Sequence, residues 1–418
     1  MTILSRRSLF AYGLFGMPLA LVALPVYVYV PQFYAARFGL SLASIGIALL
    51  LARMLDAFID PAIGWWIDRV KGRGGSARGG YARPILLSLP LLALGFHALF
   101  LPPALADAAP MAWFMLSLLL TYAGFSLASI AHQSWGAALT QAPGQRARLT
   151  AAREACGLAG VVLAALMLQT LAPGWLPPVF VLLLLGSALV LLRLSLRPAC
   201  ASVPPAGSAS FIAPFRTARF RWLFAAFIVN GIAAAIPATL FLFFARDYLQ
   251  LAQYSGLYLL LYFLAAAASM PLWVTLARRL GEARAWLLGM LLSVACFIWA
   301  FGLASGATLG FGVICALSGL ALGADLALPP ALLAAVIARA GHSGQREGAY
   351  FGVWNWATKI NLALAAGIAL PVLQRLGYTP GATDSTALLA LGFAYAVIPC
   401  ALKLVAAAIV WRAPLNDL

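Results

Sequence analysis

The sequence predicts an all-α membrane protein of about twelve transmembrane helices, arranged as two six-helix bundles. Three observations predict it. First, 64% of the 418 residues are hydrophobic and only 9% are charged, against roughly 25% charged in a soluble domain, so one water-soluble core cannot hold the apolar surplus. Second, the apolar residues fall into runs of about 20 with short polar breaks, the length a helix needs to cross a bilayer, and they leave no room for a sizeable soluble domain. Third, the longest internal break, Arg197 to Arg219, is rich in Pro, Ala, Ser and Gly and falls near the middle of the chain.

The spans are read at 8–32, 40–67, 82–104, 110–139, 149–171, 175–196, 219–245, 252–277, 283–302, 306–338, 347–372 and 385–411. This gives a bundle over 1–197, a cytoplasmic loop over 198–218 and a second bundle over 219–418. Backbone groups in lipid must bond internally, so the spans are helices. The first follows Ser5-Arg6-Arg7-Ser8, and its apolar run exceeds that of a cleaved signal, so it is read as a start-transfer helix. Pro18, Pro25, Pro61, Pro237, Pro271, Pro329, Pro330 and Pro371 lie within spans and predict kinks. A weak repeat links the halves: Pro61 precedes Arg69 by eight residues at the end of span two, as Pro271 precedes Arg279 at the end of span eight.

A net charge of +16 could indicate a nucleic-acid partner, but the basic residues alternate by loop. Arg69, Lys71, Arg73, Arg78 and Arg83 separate spans two and three, Arg146, Arg148 and Arg153 separate four and five, and Arg278, Arg279 and Arg284 follow span eight. The intervening loops carry only Arg37, Arg246 and Arg375. That asymmetry puts both termini in the cytoplasm of an inner membrane and excludes nucleic acid. The five cysteines are scattered without metal spacing. No nucleotide-binding G-x-x-x-x-G-K-[ST] occurs, and no zinc motif or nucleophile elbow suggests an enzyme.

Charge inside a span costs about 2.5–3.5 kcal/mol at a helix centre and therefore marks function. Span two carries Arg53, Asp56 and Asp60, spaced by three and four on one helix face. Two carboxylates one turn apart suit a hard cation through their oxygens, or a proton, with one pKa raised by the other. An Arg53–Asp56 pair that only locked packing would leave Asp60 unexplained. Span eleven offers Lys359, with Asn355 one turn earlier and Thr358 beside it. Lys359 is expected to balance the span-two carboxylates in the empty carrier, and Asn355 and Thr358 are candidate solute contacts. Asp325 in span ten is read either as a third coupling residue or as a helix-to-helix hydrogen-bonding group. Lys403 is expected to snorkel to the interface. His97 and His132 are expected to pack, with His132 also a candidate for facing solute, as is Trp135 three residues on.

These residues resemble a known family. Arg53, Asp56, Ala57, Asp60, Pro61 and Gly64 follow the pattern R-x-x-D-A-x-x-D-P-x-x-G of the glycoside–pentoside–hexuronide:cation symporter family (melibiose permease-like) of the major facilitator superfamily. Gly344-Gln-Arg346-Glu347-Gly348, Lys359 and Leu376-Gly377-Tyr378 also sit where that family has similar residues. Gly64, Asp68, Arg69, Gly72 and Arg73 match the superfamily's loop signature, a gating element at the cytoplasmic end of span two. The resemblance implies the major facilitator fold and cation-coupled symport of a small solute. Asp56 and Asp60 would be the ligands for sodium or a proton, Arg53 and Lys359 the charge-balancing groups, and Arg153 a sugar contact. No cofactor beyond the coupling ion is implied, and a monomer in the bilayer is the fold's default. Two departures stand out: Pro18 replaces the family's sugar-binding aspartate, and Ala131, near Ser129 and His132, replaces a span-four carboxylate. The first leaves a lysophospholipid or other amphiphile as a rival cargo, with a drug or metabolite exporter of the same fold behind it. The second favours a proton over sodium.

Overall fold

The computed structural model describes residues 4–23, 25–72, 80–140, 142, 144–170, 173–195, 213–378, 381 and 383–415. The helices are α1 Arg6–Leu14, α2 Gly16–Leu21, α3 Val30–Phe38, α4 Leu42–Gly72, α5 Ala82–Phe100, α6 Pro110–Leu139, α7 Gln145–Thr170 and α8 Leu176–Leu194. They continue with α9 Ala218–Phe243, α10 Ser255–Leu280, α11 Glu282–Phe297, α12 Thr308–Arg339, α13 Glu347–Arg375, α14 Ser385–Gly392 and α15 Ile398–Arg412.

Among the described residues, nine helical segments are long and apolar enough to cross a membrane. The other three expected spans fall on α1 to α3, on α4 and on α13, each of which includes residues whose side chains lie outside the described ones. In the first, a turn at Phe15 separates α1 from α2, and a π turn, Pro25–Tyr29, opened by a proline that lacks the N–H and crowds the preceding turn, precedes α3. α4 carries Arg53, Asp56 and Asp60, and α13 carries Lys359 among asparagines and a threonine. α4 runs through Pro61 without a break. Most of the expected central loop lies outside the described residues, with Ala213–Arg216 forming a short turn before α9.

The chain forms two compact units: Met1–Pro214 with Ile337–Trp356, and Phe215–Val336 with Ala357–Leu418. In the first, α4 and α5 pack on α6, and α1 and α2 pack on α7. α4 shows why membrane helices read inversely to soluble ones. Leu51, Leu55, Phe58 and Ile59 are exposed while Ala52, Asp56, Ala57, Asp60 and Gly64 are buried. Phe58 is 64% exposed and Asp60 0%, which fits an outward face solvated by acyl chains and carboxylates kept within protein. In the second unit, α9 and α11 pack on α15, and α10 packs on α11. Its aromatic core is centred where Phe244 stacks on Tyr395, with ring centroids 3.9 Å apart.

Candidate functional site

The acidic face of α4 is the focus of the first unit. Asp56 is 4% exposed, and its Oδ1 accepts a 2.6 Å hydrogen bond from the Ser126 hydroxyl of α6. Asp60 lies one turn on, fully buried, and Arg53 is half-buried one turn before. α6 continues the polar track. Gln133 donates to Ser129 Oγ at 2.9 Å and exchanges hydrogen bonds with the Asn355 amide of α13 at 3.3 and 3.4 Å. Ser126 and Gln133 were not singled out in the sequence. Their signal was there: Ser126, Ser129 and Gln133, spaced by three and four, put three polar groups on one stripe of an apolar helix.

The loop signature after span two closes on the start of α13, within the same unit. Asp68 accepts from the Gly348 N–H at 2.9 Å and the Ala349 N–H at 2.8 Å, satisfying donors that a helix N-terminus leaves free and placing an anion at its positive end. Gly64 allows this approach, since a Cβ there would run into the Gly348 carbonyl. Gly352 also packs against the Asp60 carbonyl, so a small-x-x-x-small pair on α13 receives α4. Tyr81 donates to Glu347 at 3.0 Å, and Trp135 stacks near Tyr81 with centroids 6.5 Å apart. Trp135 is thus buried beside the start of α13. Arg69 lies over the Trp65 ring, 3.7 Å from its centroid. Arg73 lies outside the described residues. Between α12 and α13, His342 bonds to the Tyr350 hydroxyl at 2.9 Å. Burial and the nearby Arg346 push its pKa down, against a smaller opposing effect of Glu347.

A second polar cluster joins α1, α6 and α7. His132 is packed, 1% exposed, with Nε2 2.9 Å from the Tyr12 carbonyl and its ring between Tyr12 and Phe15. Tyr12 donates to the His132 carbonyl at 3.1 Å. Arg153 donates through Nε at 3.0 Å to its own neighbour Glu154, with the Tyr12 hydroxyl in its electrostatic surroundings. Glu154 was not marked in the sequence, although a carboxylate next to an arginine inside a span was there to be read.

In the second unit, Asp325 is the hub of a closed network. Lys403 donates to Asp325 Oδ2 at 2.6 Å and to Asn230 Oδ1 at 3.0 Å. Asn230 at 3.2 Å and the Trp286 indole at 2.8 Å both donate to Asp325 Oδ1. The expectation that Lys403 snorkels is therefore corrected: it is 6% exposed, because a carboxylate in reach satisfies its charge inside the protein. His97, expected to pack, is exposed in the last turn of α5. Lys359 is buried at 6% exposure, Thr358 is exposed, and Asn361 lies against Gly231 of α9.

The chain is 25% identical over 408 residues to the "Glucuronide carrier protein homolog" of Escherichia coli (strain K12), covering 92% of this chain and 87% of the relative. Among solved structures it resembles an outward-facing bacterial homologue of the iron transporter ferroportin, with TM-score 0.71, 14% identity and 97% and 98% of the two chains covered. It also resembles the Major Facilitator Superfamily transporter FucP in its outward conformation, with TM-score 0.68, 17% identity and 96% and 98% covered. The fold is accordingly the major facilitator fold. Residues 9–203 and 204–417 each match the MFS/sugar transport protein family, and the chain, a multi-pass membrane transporter and not an enzyme, belongs to that family.

Proposed function

We propose that the protein couples a cation gradient to symport of a glycoside-like small solute across the bacterial inner membrane, by alternating access of two bundles. The observation that carries this reading is the buried pair Asp56 and Asp60 on the protein-facing side of α4, with the Ser126 hydroxyl on Asp56. Carboxylate and hydroxyl oxygens suit sodium, and a carboxylate pair in a low-dielectric setting also suits a proton. Asp56 and Asp60 hold the cation, with Ser126 as an added oxygen. Lys359 and Arg53 balance charge in the empty carrier. Arg153, with Asn355 and Gln133, serves the solute. Asp325, already engaged by Lys403, Asn230 and Trp286, acts as a clamp within its own unit. The relative's name as a glucuronide carrier supports a glycoside-like cargo. Cation and solute each favour the other's binding, because coupling free energy is reciprocal. The basic-loop asymmetry supports both termini in the cytoplasm, and the carrier works as a monomer.

The test is thermal stabilisation of the purified protein by glycosides, with and without sodium and across pH. The proposal expects a glycoside to raise the melting temperature more when sodium is present or when the pH is acid, which also identifies the ion. Stabilisation by a lysophospholipid alone, with no response to any glycoside, contradicts it.

A further inference from the structure

The cluster on α1, α6 and α7 bears on the charge of the cargo. Successive residues of a helix point about 100° apart, so Arg153 reaches Glu154 only by turning its guanidinium along the helix surface. It does so with both Nε, at 3.0 Å, and Nη2. The two side chains are 12% and 23% exposed, so each keeps a small open share. Tyr12 completes the arginine's surroundings. Gly136 makes room for that ring, since a Cβ there would overlap the Tyr12 hydroxyl. Beside them is His132, 1% exposed, whose Nδ1 has no hydrogen-bond partner among the described residues. A charge pair, a phenol and a half-satisfied imidazole inside a membrane-spanning unit are costly to keep for packing alone.

Resting on the glycoside reading, we propose that Glu154 sets the charge of the cargo: by neutralising Arg153 it selects an uncharged polyhydroxy solute over its acidic analogue. Sugar hydroxyls both donate and accept. They can give hydrogen bonds to Glu154 and take them from Arg153, leaving the pair charge-balanced. An acidic sugar meets an arginine already compensated, with the Glu154 carboxylate of like sign beside it. The preference differs from the acidic cargo in the name of the Escherichia coli relative.

The test compares uptake of methyl β-glucopyranoside and methyl β-glucopyranosiduronate, alike except for CH2OH against carboxylate, by the full-length protein in liposomes. Wild type is expected to favour the neutral solute by at least about tenfold. Glu154→Gln should shrink that ratio by about tenfold through a gain in the acid, while Glu154→Asp should hold it, as a purely structural residue would not. Wild-type uptake of the acid equal to or above the neutral sugar overturns the inference without any variant. A functional Glu154→Gln with an unchanged ratio does the same. Uptake of neither solute by folded wild type contradicts the glycoside reading first and takes this inference with it.

Discussion

At the scale of single residues, energetics turn on where each buried charge finds its opposite. Asp325 and Lys403 meet at 2.6 Å on α12 and α15, with side chains only 11% and 8% exposed. Removing one member of such a pair leaves an uncompensated charge and costs about 3–5 kcal/mol, whereas an apolar replacement of both is often neutral. Asp325→Ala should therefore lower the thermal stability of the purified protein markedly, and a second change, Lys403→Met, should recover most of the loss. A single variant with unaltered melting would remove the clamp. Lys359→Ala should behave differently, reducing accumulation of solute more than it reduces folded yield, as uptake and size-exclusion measurements together would show. The sequence made Asp56, Asp60 and Lys359 visible because each is a charge amid apolar residues. Lys403 was misread because nine residues from a helix end allow snorkelling, and only tertiary structure brings Asp325 within reach. Asn230 and Trp286 carry no charge and do not stand out in an apolar run.

At the scale of elements, α4 performs two tasks along one face. Its middle buries Asp56 and Asp60, and its C-terminal part places Gly64 and Asp68 on the start of α13. A side chain at Gly64 must displace the backbone of α13, and overpacking of this kind costs about 1–3 kcal/mol. Gly64→Val should thus lower the melting temperature and slow transport together, which paired melting and uptake assays would show. The loop before α13 adds a dependence on pH. The His342 pKa is depressed in the folded protein relative to its ordinary value of 6.5, so the folded state favours the neutral ring. Its contribution to stability is complete above pH 6.5 and declines as pH falls through that value towards the folded pKa. Melting curves from pH 5 to 8 should show a smaller acid loss for His342→Gln than for wild type. Helix positions were largely legible, α6 with the same limits as read, because a membrane imposes a length on every apolar run. The π turn at Pro25–Tyr29 begins at a proline read as a kink, whereas those at Phe244–Tyr248 and Phe393–Val397 were not legible, because one extra residue per turn leaves no mark on composition.

At the scale of the whole molecule, the polar break near mid-chain predicts two six-helix bundles, and the major facilitator fold follows from the structural likenesses. The break alone could not show that Ile337–Trp356 groups with the N-terminal unit. That grouping depends on Asp68 and Gly64 meeting Gly348 some 280 residues away. Topology is tested by cysteine labelling from either side of the membrane. Single cysteines placed at each end of the chain should react only with reagent on the cytoplasmic side, and labelling from outside would reverse the proposed orientation. The most direct test of cation coupling is transport by Asp60→Asn in liposomes, read in two modes. The account predicts that this variant folds and exchanges solute across the membrane down its gradient, yet no longer accumulates it when a sodium or proton gradient is imposed. Accumulation at the wild-type level by Asp60→Asn would contradict the assignment of the α4 carboxylates to the coupling cation.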